Sequence, residues 1–69
     1  MRDEALERAI GAAGGTKELA RRIGITPQAV SQWKRCPAQR AIDVERATGG
    51  EVRRQDLRPD FYPVDEHAA

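Results

Sequence analysis

The feature that most constrains this chain is the segment of residues 16–35, TKELARRIGITPQAVSQWKR, which holds two helical patterns with almost nothing between them. The first pattern is an apolar stripe at helical spacing, made of Leu19, Ala20 and Ile23. Gly24 follows at the place where helices commonly end in a left-handed residue, and Thr26 and Pro27 suit the cap and the first position of a second helix. The segment therefore predicts a helix-turn-helix.

The second helix of this segment is expected to run from Pro27 to Arg35 and to have two different faces. Val30 and Trp33 lie three residues apart and can pack on the first helix, so packing is the role expected for Trp33, rather than stacking on a base. The other face is polar and is expected to point outward; it consists of Gln28, Ser31, Gln32 and Arg35.

Positive charge is concentrated around this segment, although the whole chain is nearly neutral. The 69 residues carry 12 Lys and Arg against 11 Asp and Glu, a net charge of +1. Residues 16–40 hold six basic side chains against the single acidic Glu18, a net of +5, with −1 before this segment and −3 after it. A basic patch on a small domain is typical of proteins that bind phosphate backbones, and an ordinary solvated helical surface is the alternative.

Helices are also expected on both sides of the central segment. The spacing of apolar residues predicts a first helix over residues 3–13, with Asp3 as its cap and Gly14 and Gly15 at its end, and a fourth helix over residues 37–48. The first helix of the central segment begins either with Thr16 as its cap or at Gly15, with the Glu18 side chain reaching back to the start of the helix. The pattern leaves both possibilities open.

The C-terminal part predicts one further helical turn from Arg53 to Leu57, because Pro59 disfavours a helical conformation at the residue before it. The apolar residues expected to cover the open end of the core are Val52, Leu57, Phe61 and Tyr62. A β-hairpin is the main structural alternative for residues 51–62, but they lack a long alternating pattern. We therefore expect an all-α bundle of about five helices, with one domain over residues 1–63 and a flexible tail over residues 64–69.

The central segment resembles the helix-turn-helix of the phage Cro and repressor families, and in particular the small Cro-like regulators called YdaS-like. The similarity continues through residues 36–63, CPAQRAIDVERATGGEVRRQDLRPDFYP, and covers roughly residues 4–63. Cys36 departs from the family pattern, in which an aliphatic residue is expected, and we expect it to be a small buried hydrophobe. The resemblance implies the lambda-repressor-like fold.

The resemblance also implies sequence-specific binding of double-stranded DNA, as by a phage or prophage repressor that occludes a promoter. In this type of docking the second helix of the motif enters the major groove, and the candidate base contacts are Gln28, Ser31, Gln32 and Arg35. The candidate phosphate contacts are Thr16, Lys17, Lys34 and Arg40. Arg35 could hold a phosphate instead, and a local ion pair is the alternative for Arg40. A homodimer on the DNA operator is expected, because one such helix reads only a few base pairs.

The main alternative is a protein-binding module, such as an antitoxin that binds a toxin partner as well as DNA, although the polar face of the second helix is poorer in apolar residues than a protein contact would be. We expect no catalysis, because the sequence contains no phosphate-cradling loop and no catalytic constellation. The single Cys36 excludes an intramolecular disulfide, and we expect no metal site, cofactor or small-molecule ligand. The chain has no leader and no apolar run near the ~20 residues of a membrane span, which predicts a cytoplasmic protein that does not contact membranes.

Overall fold

Every regular element of the described residues, 2–63 of the computed structural model, is helical. The elements are α1 (Glu4–Ala13), α2 (Thr16–Ile23), α3 (Pro27–Gln32), a 3-10 turn (Ala38–Arg40), α4 (Ala41–Ala47) and α5 (Arg54–Leu57). The predicted all-α bundle of about five helices is thereby confirmed, and the β-hairpin alternative for residues 51–62 is excluded. The predicted tail over residues 64–69 lies outside the described residues.

Helix α1 begins and ends where the sequence predicts. The side chain of Asp3 caps it, accepting a hydrogen bond from the amide of Leu6 at 3.3 Å. Gly14 follows the last helical residue with a left-handed φ of 101°. One face of α1 is buried in the core, through Leu6, Ala9, Ile10 and Ala13.

Helix α2 starts at Gly15, the second of the two possibilities that the sequence left open, but without the side-chain contact expected there. Its N-cap is Gly15, and no side chain bonds to the cap position. Thr16 is the first helical residue, which excludes the alternative in which it caps the helix. The carboxylate of Glu18 does not reach back, because it accepts hydrogen bonds from Arg21 and Arg22, which lie one turn further along the same helix.

The turn between α2 and α3 is built as predicted. Gly24 has a left-handed φ of 77°, and the following amide, that of Ile25, donates to the carbonyl of Ala20 at 3.0 Å. The hydroxyl of Thr26 accepts from the amide of Ala29 at 3.2 Å, and Pro27 is the first residue of α3. The conformational preferences of the residues within the turn itself therefore set its geometry.

Two glycine substitutions are expected to change stability in opposite directions. Gly24→Ala forces a β-carbon into the left-handed region and is expected to lower the free energy of unfolding by about 1–2 kcal/mol. Gly11 lies in α1 with open space around it, so Gly11→Ala is the matched control and is expected to raise stability by about 0.5–1 kcal/mol. Urea denaturation of both variants tests this pair; equal stability of the Gly24 variant and the wild type would mean that the turn is not strained by a side chain.

Helix α3 is shorter than predicted, since it ends at Gln32 and not at Arg35. Trp33 has an extended backbone, with φ −71° and ψ 130°, so Arg35 is not on the helix. The carbonyl of Ser31, which would accept from the amide of Arg35 in a longer helix, accepts instead from the guanidinium of Arg2. The prediction of a helix through Arg35 is therefore wrong, and a tertiary contact takes the place of the missing helical hydrogen bond.

Helix α2 is the centre of the bundle, since it packs against α1, α3 and α4. The buried apolar residues form one core, which consists of Leu6, Ala9, Ile10, Ala13, Leu19, Ala20, Val30, Cys36, Ala41, Val44, Val52 and Leu57. Trp33 is half-buried against this core, which confirms packing as its role. Cys36 is fully buried, as expected for a small hydrophobe.

The C-terminal half differs from the prediction in two places. The predicted fourth helix over residues 37–48 is divided into the 3-10 turn and α4, and Pro37 stands before both with an extended ψ of 141°. Phe61 is 60% exposed, so its expected role as a cover of the core is wrong. Tyr62 is half-buried against the core; its ring meets that of Phe61 edge to face, and the guanidinium of Arg54 lies over it at 5.8 Å from the ring centre.

Candidate nucleic-acid interface

Helix α3 presents a polar face to solvent and an apolar residue to the core. Gln28, Ser31 and Gln32 are exposed, whereas Val30 is completely buried. Packing of α3 against α2 fixes which side turns outward. The structure thus brings three of the four predicted base contacts together on one exposed surface.

The predicted phosphate contacts at the motif differ in exposure. Lys17 is exposed in the first turn of α2, beside the half-buried Thr16. Lys34 is exposed immediately after α3. Neither lysine forms an ion pair with any residue of the described range. As far as residues 2–63 show, two cations without an acidic partner therefore lie at the start of α2 and just beyond the end of α3.

The other basic residues of the 16–40 segment form ion pairs, although Arg21 and Arg22 share one carboxylate. Arg21 and Arg22 both bond to the carboxylate of Glu18, and Arg22 also donates to the carbonyl of Ala47 at 2.8 Å. Arg40 lies in the 3-10 turn and faces Asp43 at 3.5 Å, which is the local ion pair named as its alternative. Glu18 is already included in the net charge of +5, so of these two carboxylates only that of Asp43, which lies outside residues 16–40, lowers the positive charge beyond the count from the sequence.

Arg35, the fourth predicted base contact, lies apart from the face of α3. Its guanidinium pairs with Asp60 at 3.1 Å. Arg58 also binds Asp60, at 2.8 Å, and donates to the carbonyl of Cys36 at 3.2 Å. The hydrogen bonds from Arg58, with a smaller contribution from the charge of Arg35, hold the pKa of the Asp60 carboxyl well below its usual range. Asp60 is therefore ionised at neutral pH and bridges both arginines.

Arg2 is a residue that the sequence analysis missed. Its Nε donates to the carbonyl of Trp33 at 3.2 Å, and its Nη2 donates to the carbonyl of Ser31 at 3.0 Å. The remaining nitrogen, Nη1, faces Glu7 at 3.7 Å. No sequence pattern could have identified this contact, because its acceptors are backbone groups about 30 residues away in the chain.

Other kinds of site find little support in residues 2–63. No cluster of three or more His, Cys, Asp or Glu residues in this range is arranged to hold a metal ion. None of the helices in this part of the chain has both the length and the apolar character needed to cross a bilayer. A shallow groove between α2 and α4 is lined by Arg22, Ile23, Asp43, Arg46 and Ala47.

Known proteins resemble this chain over most of its length. Residues 6–66 match the family model described as "Bacterial toxin YdaS". The chain is 41% identical over 59 residues to YdaS of Escherichia coli (strain K12), a provisionally assigned transcriptional regulator; the match covers 80% of this chain. This chain spans 60% of the length of that relative. A solved structure, the Cro protein from the provisionally assigned prophage element Xfaso 1 of Xylella fastidiosa strain Ann-1, is 40% identical and superimposes with a TM-score of 0.82, covering 87% of this chain and 97% of that one.

Proposed function

Because this chain belongs to the YdaS family, whose model matches residues 6–66, we propose that it is a Cro-like transcriptional regulator that binds double-stranded DNA in a sequence-specific manner. The observation that carries the proposal is the exposed polar face of α3, made of Gln28, Ser31 and Gln32. The names of the two relatives, a Cro protein and a transcriptional regulator, agree with it. The protein acts without catalysis or cofactor, as a cytoplasmic repressor of a phage or prophage.

In the proposed complex, α3 lies in the major groove and the side chains on its exposed face contact base edges. A glutamine amide can bond both N6 and N7 of adenine, so Gln28 and Gln32 each read an adenine. The hydroxyl of Ser31 can bond to several bases and therefore adds little discrimination between them. Lys17 and Lys34 bind phosphates on either side, because they are exposed and have no acidic partner among the described residues. Thr16, in the first turn of α2, is a further phosphate contact through its hydroxyl.

Arg35 and Arg40 bind DNA only by exchanging an acidic partner for a phosphate. Each is held in the free protein by one carboxylate, Asp60 or Asp43 respectively. Both ion pairs are partly exposed, so breaking them to bind a phosphate costs little free energy. Because Arg35 lies beyond α3, it contributes to affinity as a phosphate contact more readily than to base selection.

Two copies are proposed to occupy one operator and to occlude a promoter. One short helix reads only a few base pairs, and a dimer doubles the site and the number of phosphate contacts. The half-sites then lie about one helical turn, or about 34–36 Å, apart. Binding of a single isolated half-site as tightly as the full palindrome would contradict the dimer.

A second candidate is a module that binds a protein partner, for example an antitoxin that binds both a toxin and DNA. It is favoured by the exposed ring of Phe61, whereas the family model is described as a toxin and not as an antitoxin. The candidates separate experimentally, because Phe61→Ser is expected to weaken a protein partnership and to leave the contacts of α3 with bases unchanged.

The proposed function is tested by selecting duplexes from a random library with the purified chain, and by footprinting the region upstream of its own gene. We expect one palindromic sequence to be enriched and the same sequence to be protected in the footprint. A scrambled duplex of equal composition is the control. Equal binding of selected and scrambled duplexes at physiological salt would overturn sequence-specific regulation.

Removing the carboxylate that holds Arg35 is expected to strengthen DNA binding without improving selectivity. Asp60→Asn leaves Arg35 and Arg58 without their acidic partner, so affinity for selected and scrambled duplexes should rise several-fold alike, and the slope of log K against log salt should steepen by about one. Glu51→Gln makes the same change in net charge at an exposed residue away from Arg35, and is the control. Equal slopes for both variants would place Arg35 away from the DNA.

A further inference from the structure

The last turn of α3 has an unusual support. The helix contains only Pro27–Gln32, and so short a helix is marginal without contacts to the rest of the protein. At its first turn the hydroxyl of Thr26 supplies a cap. At its last turn the carbonyl groups of Ser31 and Trp33 are bonded by Arg2, a residue that precedes the whole bundle in the chain.

All three nitrogen atoms of the Arg2 guanidinium face protein groups. Nε and Nη2 donate to the two carbonyls of the α3 end, and Nη1 faces the carboxylate of Glu7 at 3.7 Å. The side chain is 24% exposed. A positive charge at this place also complements the negative end of the helix dipole. Two of the five N–H groups of Arg2 thus donate to the end of α3, and the nearby carboxylate of Glu7 balances its charge, so the guanidinium is directed mainly at the protein.

The backbone next to Arg2 strengthens the same connection. The amide of Asp3 donates to the carbonyl of Lys34 at 2.7 Å, while the side chain of Asp3 caps α1. The start of α1 is therefore attached to the end of α3 through adjacent residues. Ser31 and Gln32, which belong to the exposed polar face, lie in the turn that this attachment holds.

We propose that Arg2 is a positioning residue for DNA recognition: it holds the last turn of α3 so that Ser31 and Gln32 meet the bases in the correct orientation, and it does not touch DNA itself. This inference rests on the proposed function of α3. Through its contacts with the backbone of α3, the N-terminal segment thus contributes to the selectivity for DNA sequence. Lys17 and Lys34, by contrast, act in the proposed complex as direct phosphate contacts.

The first test needs no DNA. In Arg2→Ala the Asp3 amide and the Asp3 cap remain, so only the guanidinium contacts are lost and the fold should persist. Hydrogen exchange of the Trp33 amide, which donates to the carbonyl of Val30, should become faster, while exchange in α1 and α2 stays the same. Arg8→Ala is the matched control, since Arg8 is exposed on α1 and its side chain forms no hydrogen bond or ion pair with residues 2–63. Unchanged exchange at Trp33 in Arg2→Ala would overturn the positioning role.

The second test uses the duplex that the wild-type chain selects and a scrambled duplex of equal composition. Arg2→Ala should reduce the ratio of the two affinities about tenfold, because it disturbs the orientation of a base-reading side chain, with the salt slope unchanged. Arg2→Lys keeps the charge but lacks the planar fork, so it should restore only part of the ratio. An equal loss on both duplexes, a slope smaller by about one and full rescue by lysine would make Arg2 a phosphate contact and overturn the inference.

The two tests also separate this inference from the proposed function. If Arg2→Ala accelerates exchange at Trp33 but the wild-type chain prefers no duplex, the proposed function fails and the guanidinium still holds the end of α3. If the wild-type chain prefers one duplex and the Arg2→Ala variant keeps the full preference, the positioning role fails and the proposed function stands.

Discussion

Alanine at Gln28 or Gln32 is expected to reduce affinity for the selected duplex by about 1–3 kcal/mol, the range in which a well-formed bidentate base contact discriminates. Both side chains are exposed on α3, so their truncation should leave the fold intact. Because neither glutamine carries charge, the salt slope should remain that of the wild type. Each variant should also relax the preference at one base pair, which repeated selection from the random library would identify.

Neutralising the lysines is the matched comparison for the glutamine variants. Lys17→Ala and Lys34→Ala are expected to weaken binding of selected and scrambled duplexes by similar factors and to lower the magnitude of the salt slope by about one each. Titrations of the four variants at several salt concentrations measure both quantities. If the glutamine variants retained full discrimination between duplexes, the face of α3 would not read bases, and the protein-binding alternative would be preferred.

Leu19→Ala is expected to produce the largest loss of stability in the chain. Leu19 has no exposed surface and lies on α2, the helix that packs against three others. Truncating a fully buried leucine lowers the free energy of unfolding by about 2–5 kcal/mol, and a core of this size rarely supplies more than about 3–5 kcal/mol. The variant should therefore be largely unfolded at room temperature, which circular dichroism would report.

Ile23→Ala is the control for this loss, because Ile23 is on the same helix but only partly buried, beside the shallow groove. Its truncation should lower the unfolding free energy by less than that of Leu19, since less buried surface is removed and the site opens to solvent. A Leu19 variant as stable as the Ile23 variant would show that the bundle relaxes around the missing side chain, and that the core is not organised around α2.

Features that depend on neighbours in the sequence could be predicted well. The cap at Asp3, the left-handed Gly24, the cap at Thr26 and the first helical position of Pro27 all follow from the conformational preferences of single residues. The exposed face of α3 also follows, because helical periodicity places Gln28, Ser31 and Gln32 opposite Val30. These features define the fold and the centre of the candidate interface.

Features that depend on distant residues could not be predicted in this way. Periodicity continued the second motif helix to Arg35, but Arg2 takes the carbonyl of Ser31 and the helix ends at Gln32. The pairing of Arg35 with Asp60 joins residues 25 positions apart, so a count of charges along the sequence overstated the free positive charge. Phe61 is more apolar than Tyr62, but only the tyrosine reaches the core.

Because the single cysteine, Cys36, is completely buried, its reaction with a thiol reagent can be used to measure how often the helical bundle opens. Removal from water raises the pKa of the Cys36 thiol to about 11, despite the nearby charge of Arg58, so at neutral pH the folded protein offers hardly any reactive thiolate. A thiol reagent then labels Cys36 only in molecules whose core has opened, and the labelling rate reports how often this happens. Comparing that rate with and without a bound duplex would measure, at one native atom and without an added probe, how strongly DNA holds the bundle closed.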